Sequence, residues 1–269
     1  MAKLYKMDIG IIGQGFVGNA IYQKFKNFYN VFTHDIISEL SNSSYPKLVK
    51  NCKLIFVCLP TPMGKNGICN LEILNDVLSK LNNDSKAIIV IKSTIIPGST
   101  ENFCKIFKNL KIIFNPEFLR EKSAIEDFEN QNRIILGGSK NITSKVKKIY
   151  SNVFPNIPVV ETSSSNAEMI KYLTNSFLAS KVSFANEIYL LCEKLNLNYK
   201  NIIKIACLDE RLGKSHWQVP GPDGYFGFEG QCFPKDLSAL INLTEKLGST
   251  NDVLKAVETS NIKIKNLNN

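Results

Sequence analysis

The strongest constraint on what this chain can fold into lies near its start. A short apolar run, Asp8–Ile12, passes straight into Gly13-Gln14-Gly15-Phe16-Val17-Gly18, and a helical pattern follows. In a strand–turn–helix unit each glycine of such a hexapeptide has its own task. The first permits the tight turn, the second lets backbone approach a pyrophosphate, and the third lets helix pack closely on strand. The diphosphate then meets a helix N-terminus, where unpaired N–H groups and the helix dipole favour an anion. The glycine spacing alone also suits a tight turn in an unrelated fold. Asp35 selects the nucleotide reading: it ends a second apolar run at the separation of an acid that holds an adenine ribose. A carboxylate there favours NAD over NADP, whose extra phosphate it would repel. His34 beside it reads as a structural neighbour.

Beyond the turn, short apolar runs rich in Ile and Val alternate with helical stretches. The expected strands are Asp8–Ile12, Val31–Thr33, Leu54–Leu59, Ala87–Ile91, Ile112–Phe114, Ile134–Leu136 and Val159–Glu161. Near-continuous β-branched runs suit parallel strands covered on both faces, so the first part reads as an α/β, Rossmann-type, doubly wound parallel sheet. Around Thr162–Ser165 the character changes. Ser165 with Glu168 makes a capping box, and a long stretch without Gly or Pro follows, apolar at helical spacing from Ile170 to Cys192. Shorter helices are expected at Tyr199–Cys207, Leu237–Leu247 and Asp252–Asn266, with a Gly- and Pro-rich loop, Pro220–Gly230, after the first of them. The expected domains are residues 1–165, a dinucleotide-binding sheet, and residues 166–269, all helical.

Composition narrows the function classes. The chain has 269 residues, 44% of them hydrophobic, and no apolar run near the ~20 residues of a membrane span. The first apolar stretch is broken by glycines and has no cleavage site behind it, so the cytoplasm is the expected compartment. Seven cysteines without a CxxC pair, and two distant histidines, His34 and His216, suggest neither disulfides nor a metal site. A net charge of +9 is spread along the sequence, which reads as a basic surface attractive to small anions rather than a nucleic-acid groove.

Five groups of residues carry candidate chemistry. Leu59-Pro60-Thr61-Pro62, Lys92-Ser93-Thr94 and Asn115-Pro116-Glu117-Phe118-Leu119-Arg120-Glu121 each follow an expected strand, at the sheet edge where ligands bind. Lys171 and Asn175 share one helix face and together could stabilise an oxyanion, although spacing alone favours a solvated pair. Cys232 follows a glycine-rich turn with Lys235 and Asp236 close behind, the setting of an activated nucleophile; the other six cysteines read as packing residues.

Together these segments resemble the UDP-glucose/GDP-mannose dehydrogenase family. The resemblance is carried by the glycine turn, Pro60-Thr61-Pro62, Ser93-Thr94, Asn115–Glu121, Asn132-Arg133-Ile134-Ile135-Leu136-Gly137-Gly138, Lys171 with Asn175, Asp209–Gly213 and Gly227–Asp236, in family order over nearly the whole chain. It implies an NAD-dependent four-electron oxidation of a nucleotide sugar, UDP-glucose to UDP-glucuronate. Cys232 would form a thiohemiacetal and then a thioester, and Glu117 would act as general base or acid. Lys171 and Asn175 would stabilise the oxyanion, while Asp236 and Thr94 would position water or protons. The resemblance also implies a cofactor surface from Gly13, Gln14, Gly15, Phe16, Val17, Gly18, Asp35, Leu59, Pro60, Thr61, Ser93, Thr94, Glu121 and Lys235. The sugar nucleotide would meet Glu117, Phe118, Leu119, Arg120, Glu121, Lys171, Asn175, Arg211, Tyr225, Phe226, Gly227, Phe228 and Cys232. Arg211 would reach it from a neighbouring subunit, which makes the helical domain a dimerisation domain and the expected assembly a homodimer.

Two departures from the family pattern accompany the resemblance. Glu229 stands where the family has glycine, which raises strain or repulsion in the loop. The sequence also runs out soon after the connecting helix, so the family's usual C-terminal nucleotide-binding domain is expected to be lacking. The competing readings are GDP-mannose or a UDP-N-acetylhexosamine as substrate, a noncatalytic NAD or nucleotide-sugar binding remnant, and a two-electron dehydrogenase of the hydroxyacid type.

Overall fold

A computed structural model describes residues 7–64, 67–230 and 232–268; Gln231 of the cysteine loop lies outside them. The chain forms two compact units, Met1–Thr61 with Asn70–Lys171, and Pro62–Cys69 with Tyr172–Asn269.

The first unit is built on a seven-stranded sheet of order β2-β1-β3-β4-β5-β6-β7. Its strands are β1 (Asp8–Ile12), β2 (Asn30–His34), β3 (Leu54–Val57), β4 (Ile88–Ile91), β5 (Lys111–Phe114), β6 (Ile134–Gly137) and β7 (Val159–Thr162). All seven expected strands are present, the first with the expected bounds and the others differing by at most two residues at an end. Helices α1 (Phe16–Phe25), α2 (Tyr45–Asn51), α3 (Glu72–Asp84), α4 (Ser99–Ile106), α5 (Ala124–Glu129) and α6 (Lys140–Val153) connect them.

Neighbouring side chains along a strand point to opposite faces, which is why unbroken apolar runs fit here. Leu54, Phe56, Val90, Ile113 and Leu136 join one core with Phe25 of α1 and Tyr150 of α6. Ile55, Val57, Ile89, Ile91, Ile112 and Ile135 join the other with Leu48 of α2 and Leu78 of α3. One pairing departs from a fully parallel sheet: β6 meets β5 antiparallel, through Phe114 and Gly137. The chain order reverses between β1 and β3, and the loops beyond their carboxyl ends form the switch point of such a sheet.

Helix α7 (Ser164–Lys194) is 31 residues long and has no Gly or Pro within it. The capping box expected at its start is not the one formed. The helix begins a residue earlier than Ser165, and the Ser163 hydroxyl accepts the N–H of Asn166 at 3.2 Å. The Glu168 carboxylate instead accepts the backbone N–H groups of Gly98 (2.6 Å) and Thr100 (2.8 Å), and the Thr100 hydroxyl (2.6 Å), at the start of α4. That helix end is buried and has no side-chain cap of its own, so its orphan donors claim the acid.

In the second unit α7 is joined by α8 (Tyr199–Ala206), α9 (Phe233–Lys246) and α10 (Asp252–Lys265). Ala179, Phe228, Leu237, Ile241 and Val257 make one small core; Ala185, Cys192, Tyr199 and Val219 make another. Gly67, from the Pro62–Cys69 segment, lies so close to α9 that a Cβ on it would fall 2.2 Å from Ser238 Oγ. Among the described residues no helix is long and apolar enough to cross a membrane.

Candidate active site

At the glycine turn the sequence expectation acquires dimensions. Gly13 has φ +92°, and a Cβ there would lie 2.3 Å from the Cys58 carbonyl oxygen. At Gly18 a Cβ would lie 1.9 Å from the Gly13 carbonyl oxygen, so helix and turn touch. At Gly15 a Cβ would meet nothing within 4 Å, so the protein's own packing leaves space there. The start of α1 has no acidic residue in its first turn and no side-chain cap, which leaves its donors to an outside anion. Asp35 Oδ2 accepts the Gln14 N–H at 2.6 Å, and Oδ1 accepts the Ile37 N–H at 2.9 Å. Each carboxylate oxygen keeps further acceptor capacity for a ribose hydroxyl. These residues fit a dinucleotide.

The strand-end loops of the same unit are tied to one another. Ser93 Oγ accepts the Leu59 N–H at 2.9 Å, and Thr61 Oγ1 donates to the Thr94 carbonyl at 2.8 Å. After β5 the chain turns through Asn115 and Pro116 into Glu117, all buried. Lys171 of α7 donates its ammonium to Glu117 Oε1 (2.8 Å) and to the Glu117 carbonyl (2.6 Å), while Oε2 accepts the Leu119 N–H at 2.7 Å. Burial alone would raise the Glu117 carboxyl, but the Lys171 charge and hydrogen bond, the Leu119 N–H and the Lys92 charge hold it below the usual carboxylate range. Phe118 packs under the Arg133 guanidinium at 4.7 Å and near the Lys171 ammonium at 5.4 Å.

The second unit places Cys232 at the N-terminus of α9, with Pro234 in the first turn. That position favours negative charge on the thiol. One turn on, Asp236 is fully buried: Oδ2 accepts from Asn175 Nδ2 at 2.6 Å, and Oδ1 pairs with Lys235 at 2.6 Å. Lys171 and Asn175 are therefore both buried and partnered, and the solvated reading of their spacing is overturned.

The loop before Cys232 is clamped by two asparagines that sequence reading missed. Asn186 Oδ1 accepts the Gly227 N–H at 3.2 Å, and Asn261 of α10 takes both backbone groups of Phe228, at 2.8 and 3.0 Å. Their one sequence signal is asparagine at a position of helical spacing that otherwise calls for an apolar residue. Lys92 stands in one of the candidate loops but carries no role of its own in the sequence; a buried lysine at the end of an apolar strand is the feature that marks it.

Glu229 adopts no left-handed backbone conformation, and its carboxylate pairs with Lys265 at 2.7 Å, so the departure carries neither strain there nor an unmet charge. Arg120 pairs with Asp127, and Arg211 with Asp209, each on an exposed surface; Glu121 and Tyr225 are exposed. Phe226 packs on Tyr189 at 5.7 Å. Of the six cysteines expected to be buried, Cys52, Cys69 and Cys192 are; Cys58 and Cys207 are half-buried and Cys104 is exposed, on the outer side of the short helix α4.

A doubly wound sheet with a dinucleotide turn at its switch point, joined in the chain to a helical unit with a cysteine at a helix start, defines a protein of the NAD-binding α/β class. Residues 30–154 match the NAD binding domain of the UDP-glucose/GDP-mannose dehydrogenase family, and residues 165–263 match its central domain. The chain belongs to the UDP-glucose/GDP-mannose dehydrogenase family. It is 40% identical over 226 residues to a UDP-glucose 6-dehydrogenase of Rickettsia conorii, a match that takes in 81% of this chain and 50% of that protein. A UDP-glucose 6-dehydrogenase of Bacillus subtilis is 30% identical over 241 residues, 86% of this chain and 49% of that one. This chain thus spans about half the length of these relatives. Among solved structures, a UDP-glucose dehydrogenase from Pyrobaculum islandicum superposes with a TM-score of 0.87 at 26% identity, covering 97% of this chain and 69% of that one.

Proposed function

We propose that this chain oxidises the primary alcohol of a nucleotide sugar to a carboxylate, with UDP-glucose the first substrate to test. The observation that carries the reading is Cys232 at the start of α9, one turn before a buried Asp236 held by Asn175 and Lys235. NAD, held at Gly13–Gly18 and Asp35, supplies the two-electron acceptor for each of two successive oxidations. Cys232 adds its sulfur to the aldehyde carbon, and the resulting thiohemiacetal goes on to a thioester. Water then releases the carboxylate and the free thiol. Glu117, ionised at neutral pH because of Lys171, acts as base rather than acid and takes a proton from that water on a carboxylate oxygen. Lys171 and Asn175 hold developing negative charge on the sugar oxygen, and Asp236 and Thr94 orient water.

The same reading makes the protein a homodimer. Leu173, Phe177, Phe184, Leu191 and Leu195 recur on α7 and the turn after it at spacings of four and seven, and each is more than half exposed. Sedimentation giving only monomer overturns that part.

The test of the activity is NADH counted per sugar with UDP-glucose, GDP-mannose and a UDP-N-acetylhexosamine. Two NADH per sugar, lost in Cys232→Ser, supports the proposal. One per sugar favours a two-electron dehydrogenase, and none with any sugar overturns it in favour of a binding protein.

A further inference from the structure

Lys92 closes β4 and is buried, yet no step above uses it. Its ammonium donates to Asn115 Oδ1 at 2.9 Å and to the Pro116 carbonyl at 3.4 Å, the two residues that lead into Glu117. The same Asn115 oxygen accepts the Tyr150 hydroxyl, and Asn115 Nδ2 donates to the Ile135 carbonyl at 2.7 Å. Among the described residues Lys92 has no carboxylate within ion-pair distance. A buried ammonium with neutral acceptors alone is costly, so its position calls for an account.

The groups that face it are the Cys58 thiol after β3, the Glu117 carboxylate and Asn115 after β5, the Tyr150 hydroxyl of α6 and the Lys171 ammonium of α7. Glu117 is the one carboxylate among them. Its direct partner is Lys171, so the charge of Lys92 acts on Glu117 through space while its hydrogen bonds act on the turn that carries Glu117.

We propose that Lys92 is a positioning residue for Glu117: it fixes the Asn115–Pro116 turn and places a second buried positive charge beside the carboxylate. This rests on the reading of Glu117 as the base. With both lysines charged, the buried set carries one net positive charge, which keeps Glu117 ionised and leaves Lys171 able to meet an oxyanion without handing Glu117 a proton. Burial pushes the Lys92 ammonium down to about 8, with Lys171 acting in the same direction and Cys58 and Glu117 opposing, so the arrangement is fully charged only below that pH.

The test uses Lys92→Met, which removes donor and charge, Lys92→Gln, which keeps a donor, and Lys92→Arg, which keeps the charge. Carbon-13 carboxyl titration of the substrate-free protein reads Glu117, assigned by the signal missing in Glu117→Gln. The expected result is an upward move of the Glu117 titration and of the acid limb of the kcat profile in the Met and Gln variants. Arg returns both toward wild type. The Met variant also loses kcat by about tenfold or more while the KM for NAD moves less, as expected of a displaced base. A Glu117 titration unchanged in both Met and Gln overturns the proposal, even if both variants are less stable. The titration needs no turnover, so a chain that oxidises no nucleotide sugar would refute the function while leaving this inference open to its own test.

Discussion

Replacing Asn261 with leucine asks whether the cysteine loop is held by α10 or merely lies against it. The side chains are similar in size, so the substitution removes hydrogen bonds without opening a large cavity. Two bonds disappear, from the Phe228 N–H at 2.8 Å and to the Phe228 carbonyl at 3.0 Å. Phe228 is only 6% exposed, so water does not readily replace them. Leaving two buried backbone groups unsatisfied costs about 1–3 kcal/mol each, and burying the leucine recovers about 1 kcal/mol or more. A net loss of about 3 kcal/mol follows, equivalent to roughly a hundredfold in an opening equilibrium.

That loss should appear locally, because loops open below the free energy of global unfolding. The measurement is hydrogen exchange by mass spectrometry on a peptide spanning residues 225–230. The expected outcome is exchange faster by about two orders of magnitude there, with protection of β1, β3 and β4 unchanged. Turnover should fall with it, since Cys232 lies four residues beyond Phe228. Exchange within about threefold of wild type, with turnover intact, would show that the asparagine is incidental and would refute the clamp.

Gly227→Ala attacks the same loop from the backbone. With φ at +77° and the new Cβ 2.6 Å from Asn261 Oδ1, it should cost about 1–2 kcal/mol for the left-handed conformation, and more for the collision, read as a lower urea midpoint. Lys171→Met leaves Glu117 buried without its partner, and a loss of about 3–5 kcal/mol is expected at pH 7. Because the folded Glu117 carboxyl lies below its unfolded value, that stability is present above the ordinary carboxylate range and disappears as pH falls through the folded value; the gap between wild type and Lys171→Met should therefore narrow in acid. Lys92 runs the other way. Its folded value of about 8 lies below the ordinary lysine value of 10.5, so the unfolded chain binds more protons between them, and wild type should gain stability over Lys92→Met as pH rises through that window, by about 1.4 kcal/mol per unit at most. Glu229→Gly should change stability by no more than about 0.5 kcal/mol, because the Lys265 pair is half exposed.

The parts of this molecule that were legible in its sequence are those decided by neighbours along the chain. Seven strands could be placed because each is an apolar run covered on both faces, and the glycine turn because its three glycines answer to contacts within one strand–turn–helix unit. Partners distant in sequence decided the rest. Lys171 and Asn175 carry the same letters whether solvated or buried; their burial depends on Glu117, 54 residues away, and on Asp236, 61 residues away. Glu168 looked like half of a capping box because its actual partner, Thr100, is 68 positions earlier. The antiparallel setting of β6 was equally hidden, since a strand buried on both faces has the same pattern in either direction.

Charge gives the clearest case of a quantity that the sequence supplies in total and only the fold can distribute. A net +9 suggested a basic surface, and most of it is that. Two of the lysines are nevertheless withdrawn from solvent beside one glutamate, and their charges favour the ionised form of Glu117, the proposed base. The second unit does the opposite: Asp236 is neutralised by Lys235 and held by Asn175, so no net charge is buried next to the helix start that carries Cys232. A thiolate formed there meets the helix dipole and no buried excess of either sign. The proposed chemistry needs that division, because the carboxylate must stay ionised to take a proton while the sulfur must be free to gain and lose its bond to carbon. If Lys235→Met left turnover intact across pH, Asp236 would not need its counter-charge, and this division of labour between the two units would be wrong.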